Sequence, residues 1–330
     1  MSDKYIPSFS LTNEMMMLVS RIVEKVQTVQ AYSSLDSMPK LRHVNRIRSV
    51  HSSLAIEANS LTFEQVKDVI DGRIVLGLQK EIQEVINAYE AYQSIPKLDP
   101  YSLDDLKKTH EVMTRYLIQE PGSFRNGEKG VFYGDKCIFM APPTKRVPEL
   151  MAGLFAWMKE SKNVVHPLIL SSVFHYEFVF IHPFSDGNGR MARLWQALIL
   201  SKWKKLFQYI PLESQIQDFQ NDYYDVIVKC NHAGNSNLFI EFMLHRIDEI
   251  LEKTKKELKE SSELSDEEKK LLSQMRPDMA YRAQELMGKV GLKSLKAFRE
   301  NYLKPALEAG LIEMTIPDKP NSKNQRYRKK

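Results

Sequence analysis

Apolar residues recur at helical spacing along most of the chain. In Asn13–Tyr32 they fall at Met16, Leu18, Ile22, Val23, Val26 and Val29, close to the period of an amphipathic helix, with Asn13 placed to cap it. A second helix is expected over Leu41–Thr62, fraying near Ala58–Asn59. Thr62 then restarts the pattern as an N-cap, with Gln65 at the capping-box position and Gly72 as the stop. The stretch QKEIQEVINAYEAYQSI is a further helix ended by Pro96, and Ser102 opens another that runs to Ile118. Only Val131–Pro143 carries hairpin character: short β-prone runs around a Gly-Asp-Lys turn, closed by proline. VPELMAGLFAWMKES returns to amphipathic helix. His166–Ile181 is almost uniformly apolar, as is MARLWQALILSKW after Arg190. A helix apolar all round belongs in a core, so these two are the expected centre of the molecule, and HPFSDGNGR (His182–Arg190) is the loop that joins them.

The pattern changes near Leu251–Lys270, which is highly charged with few apolar anchors and predicts an exposed helix or linker. Beyond it come two short helices around a Gly-containing turn, a strand at Leu311–Ile316, a basic loop and a short RYR strand. That is the order of a winged helix–turn–helix. No internal repeat is present.

Composition narrows the classes. The 330 residues allow two or more domains, and 43% hydrophobic residues supply a substantial core and exclude wholesale disorder. The net charge of +5 is mild, but the segment from Lys319 onward has basic residues and no acid, a patch suited to an acidic partner or to simple solvation. Cys137 and Cys230 are too few and too far apart for a disulfide framework or a zinc site. With no leader-like pattern and no run of about 18 apolar residues, a soluble, cytoplasmic protein without membrane contact is expected.

The loop carries the chemistry. Gly187-Asn188-Gly189 permits positive φ, so successive N–H groups can converge on an anion. The helix that follows adds its N-terminal partial charge, and Arg190 and Arg193 lie on one face of it. Together these describe a site for more than one phosphate. Asp186 stands at its edge, and a carboxylate beside phosphates suits Mg²⁺. His182, at the end of the preceding helix, is placed to take a proton from an incoming hydroxyl. The reaction class is transfer of a phosphorus group to a hydroxyl. His166-Pro167 acts as an internal control: it also precedes an apolar helix, but no acid, glycines or arginine follow, so His166 is read as a cap or loop residue.

HPFSDGNGRMAR (His182–Arg193) resembles the Fic-domain motif His-Pro-Phe-x-Asp/Glu-Gly-Asn-Gly-Arg-x-x-Arg at every defined position. The resemblance implies a mainly α fold: a Fic helical core over residues 99–250 with a short β-hairpin flap, an N-terminal helical region over 1–98, a charged helix or linker over 251–270, and a C-terminal winged helix over 271–330. It also implies transfer of AMP from ATP to a Ser, Thr or Tyr hydroxyl of a target protein or of the enzyme itself. His182 would be the general base and Asp186 the Mg²⁺ ligand, while Gly187, Asn188, Gly189, Arg190 and Arg193 would bind the triphosphate. Residues 131–143 look like the flap on which a target docks by strand addition, with Cys137, Ile138, Phe139 and Met140 nearest the nucleotide. NDYYDVIVKCNHAGN resembles the segment in which Tyr223, Tyr224 and Asn231 would line the adenine and ribose pocket.

Upstream, SSLAIEANSLT resembles the family's inhibitory motif Ser/Thr-x-x-x-Glu-Gly/Asn through Ser53 and Glu57, with Ala58 where Gly or Asn is usual. Glu57 would pair with Arg193 and block the γ-phosphate position. A homodimer and DNA binding through Lys296, Arg299, Lys304, Lys319, Lys323, Arg326 and Arg328 are further partner expectations. The alternatives kept open are a nucleotide-sensing DNA-binding regulator, and a related enzyme that removes AMP or transfers another phosphate-containing group.

Overall fold

The computed structural model describes residues 5–32, 39–133, 136–320 and 322–330. It is mainly helical, with two small antiparallel sheets. The chain divides into two compact units, Met1–Lys255 and Lys256–Lys330.

The first unit opens with α1 (Asn13–Tyr32) and α2 (Pro39–Ile56). The buried stripe of α1 is Met15, Leu18, Ile22, Val26 and Val29. Met16, expected on that stripe, is 55% exposed; among three consecutive methionines the period alone does not fix which one faces inward. Helix α2 stops at Ile56 because Ala58 turns into the left-handed region at φ 65°. Asn59 is buried beyond the turn, its amide donating to the Glu81 carbonyl and the Glu84 carboxylate. Thr62 and Gln65 then form the expected capping box of α3 (Phe63–Ile70). α4 (Gln79–Ser94) and α5 (Leu103–Thr114) follow. Ser102 caps α5 by accepting from the Asp105 N–H at 3.1 Å, and the helix ends four residues before Ile118.

β1 (Gly130–Tyr133) and β2 (Lys136–Met140) form an antiparallel hairpin with a bulge between Val131 and Phe132. The expected turn at 134–135 lies outside the described residues. α6 (Val147–Ser161), α7 (Pro167–Ile181) and α8 (Asn188–Trp203) complete the core. Phe174, Phe178, Phe184 and Trp195 are among the largest fully buried side chains, so the two apolar helices form the centre their sequences predict. The His166 ring caps α7, accepting from the Leu168 N–H at 3.2 Å. α9 (Leu212–Asp218), α10 (Gln220–Ala233) and α11 (Asn237–Glu263) follow. α11 carries helix as far as Glu263 into the charged stretch expected as helix or linker.

In the second unit, α12 (Asp266–Leu272) is held by a Ser265–Glu268 capping box. β3 (Ala280–Tyr281), α13 (Ala283–Lys289), α14 (Leu295–Phe298), a π-helical turn, α15 (Lys304–Glu308), β4 (Ile312–Met314) and β5 (Tyr327–Lys329) follow. The sheet order is β3-β5-β4, antiparallel throughout. β3, two residues long, is the strand the sequence pattern does not reveal. Leu271, Leu286, Phe298, Leu303, Ala306 and Ile312 make this unit's own core.

Candidate active site

The loop between α7 and α8 is shaped by its own side chains. His182 ends α7 in the left-handed region, φ 51° and ψ 59°, a conformation that costs a non-glycine residue roughly 1–2 kcal/mol and must be held by its surroundings. Asn188 holds it from within: its amide accepts from the Phe184 N–H and donates to the Phe184 carbonyl, both at 2.9 Å. That side chain therefore serves the loop, which leaves the backbone N–H of Asn188 as the group it could present to a ligand. Gly187 turns at φ 79° to open α8, where the first-turn N–H groups have no intrahelical acceptor.

Two residues that the sequence reading missed fix this loop to the rest of the fold. His110 of α5 stacks on Phe184, with ring centroids 3.6 Å apart. Its Nδ1 accepts from the Gly122 N–H, so its Nε2–H donates to the Asp186 carbonyl, at 2.9 Å each. Burial lowers its pKa to about 4, keeping the ring neutral and the tautomer fixed. Arg125, 4% exposed, donates from Nε to the His182 carbonyl at 2.8 Å. The same guanidinium reaches the Gly127 carbonyl, Thr144 Oγ1 and the Pro142 carbonyl at 2.9, 2.8 and 2.5 Å. It ties the backbone of the proposed base to both feet of the hairpin. No motif of fixed spacing marks either residue; each acts on backbone carbonyls that only the fold brings near.

The His182 Nδ1 lies 3.3 Å from the Val179 carbonyl, an acceptor, which puts the proton on Nδ1 and leaves Nε2 as a free base. Burial, helped by Arg125 and Lys129, lowers its pKa to about 4 against the opposing effects of the hydrogen bond to the Val179 carbonyl and of Glu57. The imidazole is thus neutral near pH 7. Asp186 is half exposed; its carboxylate accepts from the Gly187 N–H at 2.6 Å and pairs with Arg190 at 3.2 Å. Burial opposes its ionisation, but Arg190 and the N–H outweigh it and its pKa is lowered. No cluster of three or more His, Cys, Asp or Glu side chains occurs among the described residues. A single ionised carboxylate would suit a Mg²⁺ that took the rest of its shell from phosphate oxygens and water.

Arg190 and Arg193 are 3% and 2% exposed. Arg190 Nε and Nη1 are buried without a hydrogen-bond acceptor, and the Glu84 carboxylate is 3.9 Å away. Buried guanidinium donors left open in this way fit a polyanionic ligand. Arg193 is already occupied. Its Nε donates to Ser53 Oγ at 3.0 Å, and its Nη2 donates to the Ser53 carbonyl at 2.9 Å and to Glu57 Oε1 at 2.8 Å. The Glu57 oxygen lies directly over Gly189, where an added Cβ would overlap it. A carboxylate therefore sits on the amino end of α8, where a phosphate would be expected. Burial lowers the Arg193 pKa, yet Glu57 overrides it and the net displacement is upward.

The structure brings Ser53, Glu57, His182, Asp186, Gly187, Gly189, Arg190 and Arg193 into one site. On the hairpin, Cys137 and Met140 are exposed, with Met140 at 64%. Phe139 stacks on Phe180 of α7 at 5.9 Å, and Ile138 is half-buried. Of the aromatic pair, Tyr223 turns inward. Tyr223 is 2% exposed, meets buried His175 through its hydroxyl at 3.0 Å and packs on Phe239. It is a core residue. Tyr224 is half-buried, edge-on to Tyr223. Asn231 accepts from the Tyr176 hydroxyl at 3.1 Å, and its Nδ2 is buried without an acceptor.

A mainly helical unit in which His182, Asp186, Arg190 and Arg193 gather where α7 meets α8, with an antiparallel hairpin packed on α7, has the form of the Fic class of protein. Residues 100–200 match the Fic/DOC family model, and residues 266–329 match the filamentation-induced-by-cAMP Fic-like C-terminal domain. A crystal structure of a Fic family protein from Desulfovibrio desulfuricans G20 is 42% identical, covers 99% of this chain and 98% of its own, and superposes with a TM-score of 0.73. The chain belongs to the Fic family. Among curated relatives, the protein adenylyltransferase Fic of Nematostella vectensis is 28% identical over 63% of this chain and 48% of the relative. Protein adenylyltransferase fic-1 of Caenorhabditis elegans is 26% identical over 65% and 42%. The chain thus spans less than half the length of these curated relatives. No helix among the described residues is long and apolar enough to cross a membrane.

Proposed function

We propose that the protein is an adenylyltransferase that moves AMP from ATP to a Ser, Thr or Tyr hydroxyl of a target protein, itself included, and that Glu57 holds it in check. The observation that carries this reading is the placement of the Glu57 carboxylate on Arg193 and over Gly189. The site already holds an anion, supplied by the chain, at the point where a terminal phosphate would be gripped.

The chemistry follows from the residues. A target segment adds as a strand to the hairpin and presents its hydroxyl to His182. The hydroxyl oxygen attacks the α-phosphorus while Nε2 takes its proton. One O–P bond forms, the bond to the β-phosphate oxygen breaks, and pyrophosphate leaves. Arg190, Arg193 and the N–H groups opening α8 hold the negative charge that gathers on the leaving group. Asp186 is the residue that would hold Mg²⁺, which when bound neutralises phosphate charge. Two of the cations expected to reach DNA stand beside acids, Lys304 by Glu308 and Arg328 by Glu313, which weighs against the DNA-binding alternative.

The test is transfer of label from α-labelled ATP in cell lysate and to the protein itself, with His182→Ala as the partner variant. The expected result is incorporation that disappears in His182→Ala while calorimetry still detects ATP binding. Retained transfer in that variant removes His182 from the role of base, and no detectable nucleotide binding to any form removes the reading altogether.

A further inference from the structure

The amino-terminal segment before α1 is sewn onto the first unit. The Ser236 N–H and hydroxyl both donate to the Ser8 carbonyl, at 2.9 and 3.3 Å. Ser10 and Asn237 exchange two hydrogen bonds of 2.9 Å, and Thr12 donates to Glu241 at 2.7 Å. Phe9 stands edge-on to Trp157. Tyr5 lies against Gly153 of α6, where any side chain would collide with its Cβ. The Tyr5 hydroxyl donates to the Glu177 carboxylate of α7. So extensive a set of contacts marks a built element rather than a loose end.

This strap bridges a cavity of about 270 Å³, near the lower size limit for small-molecule sites. The strap residues Tyr5–Ser8 form one wall; Tyr176, Glu177 and Phe180 of α7 form another; Asn231, Gly234 and Asn235 close the end of α10. The same Phe180 stacks on Phe139 of the hairpin, and it lies two residues before His182. The cavity therefore adjoins the phosphate site along α7. Asn231, which lines it, has a buried donor without a partner, Nδ2, while Oδ1 of that amide accepts from Tyr176. Aromatic faces, one buried open donor and a carboxyl group suit a flat heterocycle bearing ring acceptors and an exocyclic amine, which is the chemistry of a nucleobase.

We infer that the strap Tyr5–Ser8 is the outer wall of the base subsite, fixed there by the Tyr5–Glu177 hydrogen bond. The inference rests on the nucleotide-donor reading and adds a part to it: a segment far from the motif in sequence shapes the site that accepts the base. Tyr5 is a positioning residue in this scheme; it holds the wall and takes no part in phosphorus chemistry.

The experiment compares two ligands in the Glu57→Gly background, where the phosphate position is free. ATP carries a base; inorganic tripolyphosphate presents only the phosphates. Both are titrated by calorimetry, with Mg²⁺, into the Glu57→Gly protein and into the same protein carrying Tyr5→Phe or Tyr5→Ala. Tyr5→Ala is expected to weaken ATP about tenfold and to leave tripolyphosphate unchanged. Tyr5→Phe, which keeps the ring and loses only the hydroxyl, is expected to fall between. Unchanged tripolyphosphate affinity also shows that the variant is folded. ATP affinity equal to that of the Glu57→Gly protein, or equal loss for both ligands, overturns the strap inference. Failure of both ligands to bind the Glu57→Gly protein overturns the donor reading instead.

Discussion

Replacing Glu57 by glycine should switch the protein on, and the structure gives the size of the effect. One charge-assisted hydrogen bond of 2.8 Å joins Glu57 to Arg193, whose side chain is 1% exposed while that of Glu57 is 35% exposed. A hydrogen bond to a charged group contributes about 1.5–3 kcal/mol. The upper figures for buried pairs do not apply, because water reaches the carboxylate and screens it. Taking about 2–3 kcal/mol as the preference for the closed arrangement, its removal should raise productive ATP binding roughly 30- to 150-fold. Arg193 is not left bare by the change, since Ser53 still supplies a hydroxyl and a carbonyl, so the variant should fold. The assay is intact-mass spectrometry after incubation with ATP and Mg²⁺, counting adenylyl groups on the protein over time. Glu57→Gln keeps the shape and loses the charge, and should lie between parent and Glu57→Gly. A Glu57→Gly protein that gains no more adenylate than the parent refutes the reasoning.

Three further outcomes follow from the same contacts. Arg125→Lys keeps the charge but cannot span the His182, Pro142, Gly127 and Thr144 oxygens that Arg125 joins; turnover in the Glu57→Gly background should drop at least about tenfold with little change in ATP affinity, and an equal loss of both would argue for general misfolding. Ala58→Gly relieves a left-handed alanine at φ 65°, so the net of the strain relieved and the extra unfolded-chain entropy should be up to about 1 kcal/mol of added stability together with lower basal transfer; an unchanged unfolding midpoint would contradict it. Burial raises the Glu177 pKa to about 7 despite the Tyr5 hydrogen bond, so its contribution is complete below about 4.5 and is lost as pH rises through about 7. The stability of Glu177→Gln relative to the parent should therefore grow between those pH values by on the order of 3 kcal/mol, read by urea unfolding followed through tryptophan fluorescence. All three tryptophans lie in the first unit; parallel curves for the two proteins would refute the assignment.

Much of the site was legible because its chemistry is contiguous. The twelve residues His182–Arg193 carry the proposed base, the carboxylate, the proposed anion cradle and both arginines in order, and the flanking helices are so apolar that their central place follows from pattern alone. Ser53 and Glu57 were legible for a different reason: they stand one helical turn apart, and both face Arg193 in the fold. The position after Glu57 proves to need a left-handed backbone, which explains why Gly or Asn is usual there and why Ala58 fits at a cost. What stayed hidden depends on tertiary contact. Arg125 and His110 act on carbonyl groups, which leave no trace in side-chain spacing. Tyr223 resembles a pocket residue in its aromatic pairing with Tyr224, but buried His175 draws its hydroxyl into the core. The strap has too little periodicity to read as an element; what it packs against, such as Gly153, Glu177 and Ser236, is distant in sequence.

The central claim is that Glu57 occupies the place of a terminal phosphate on the amino end of α8. The most direct measurement is a crystal structure of the Glu57→Gly protein with ATP and Mg²⁺. The account predicts a terminal phosphate within hydrogen-bonding distance of Arg193 and the Gly189 N–H, with the α-phosphorus facing His182. Nucleotide bound elsewhere, with the α8 amino end taken up by another part of the chain, would contradict it.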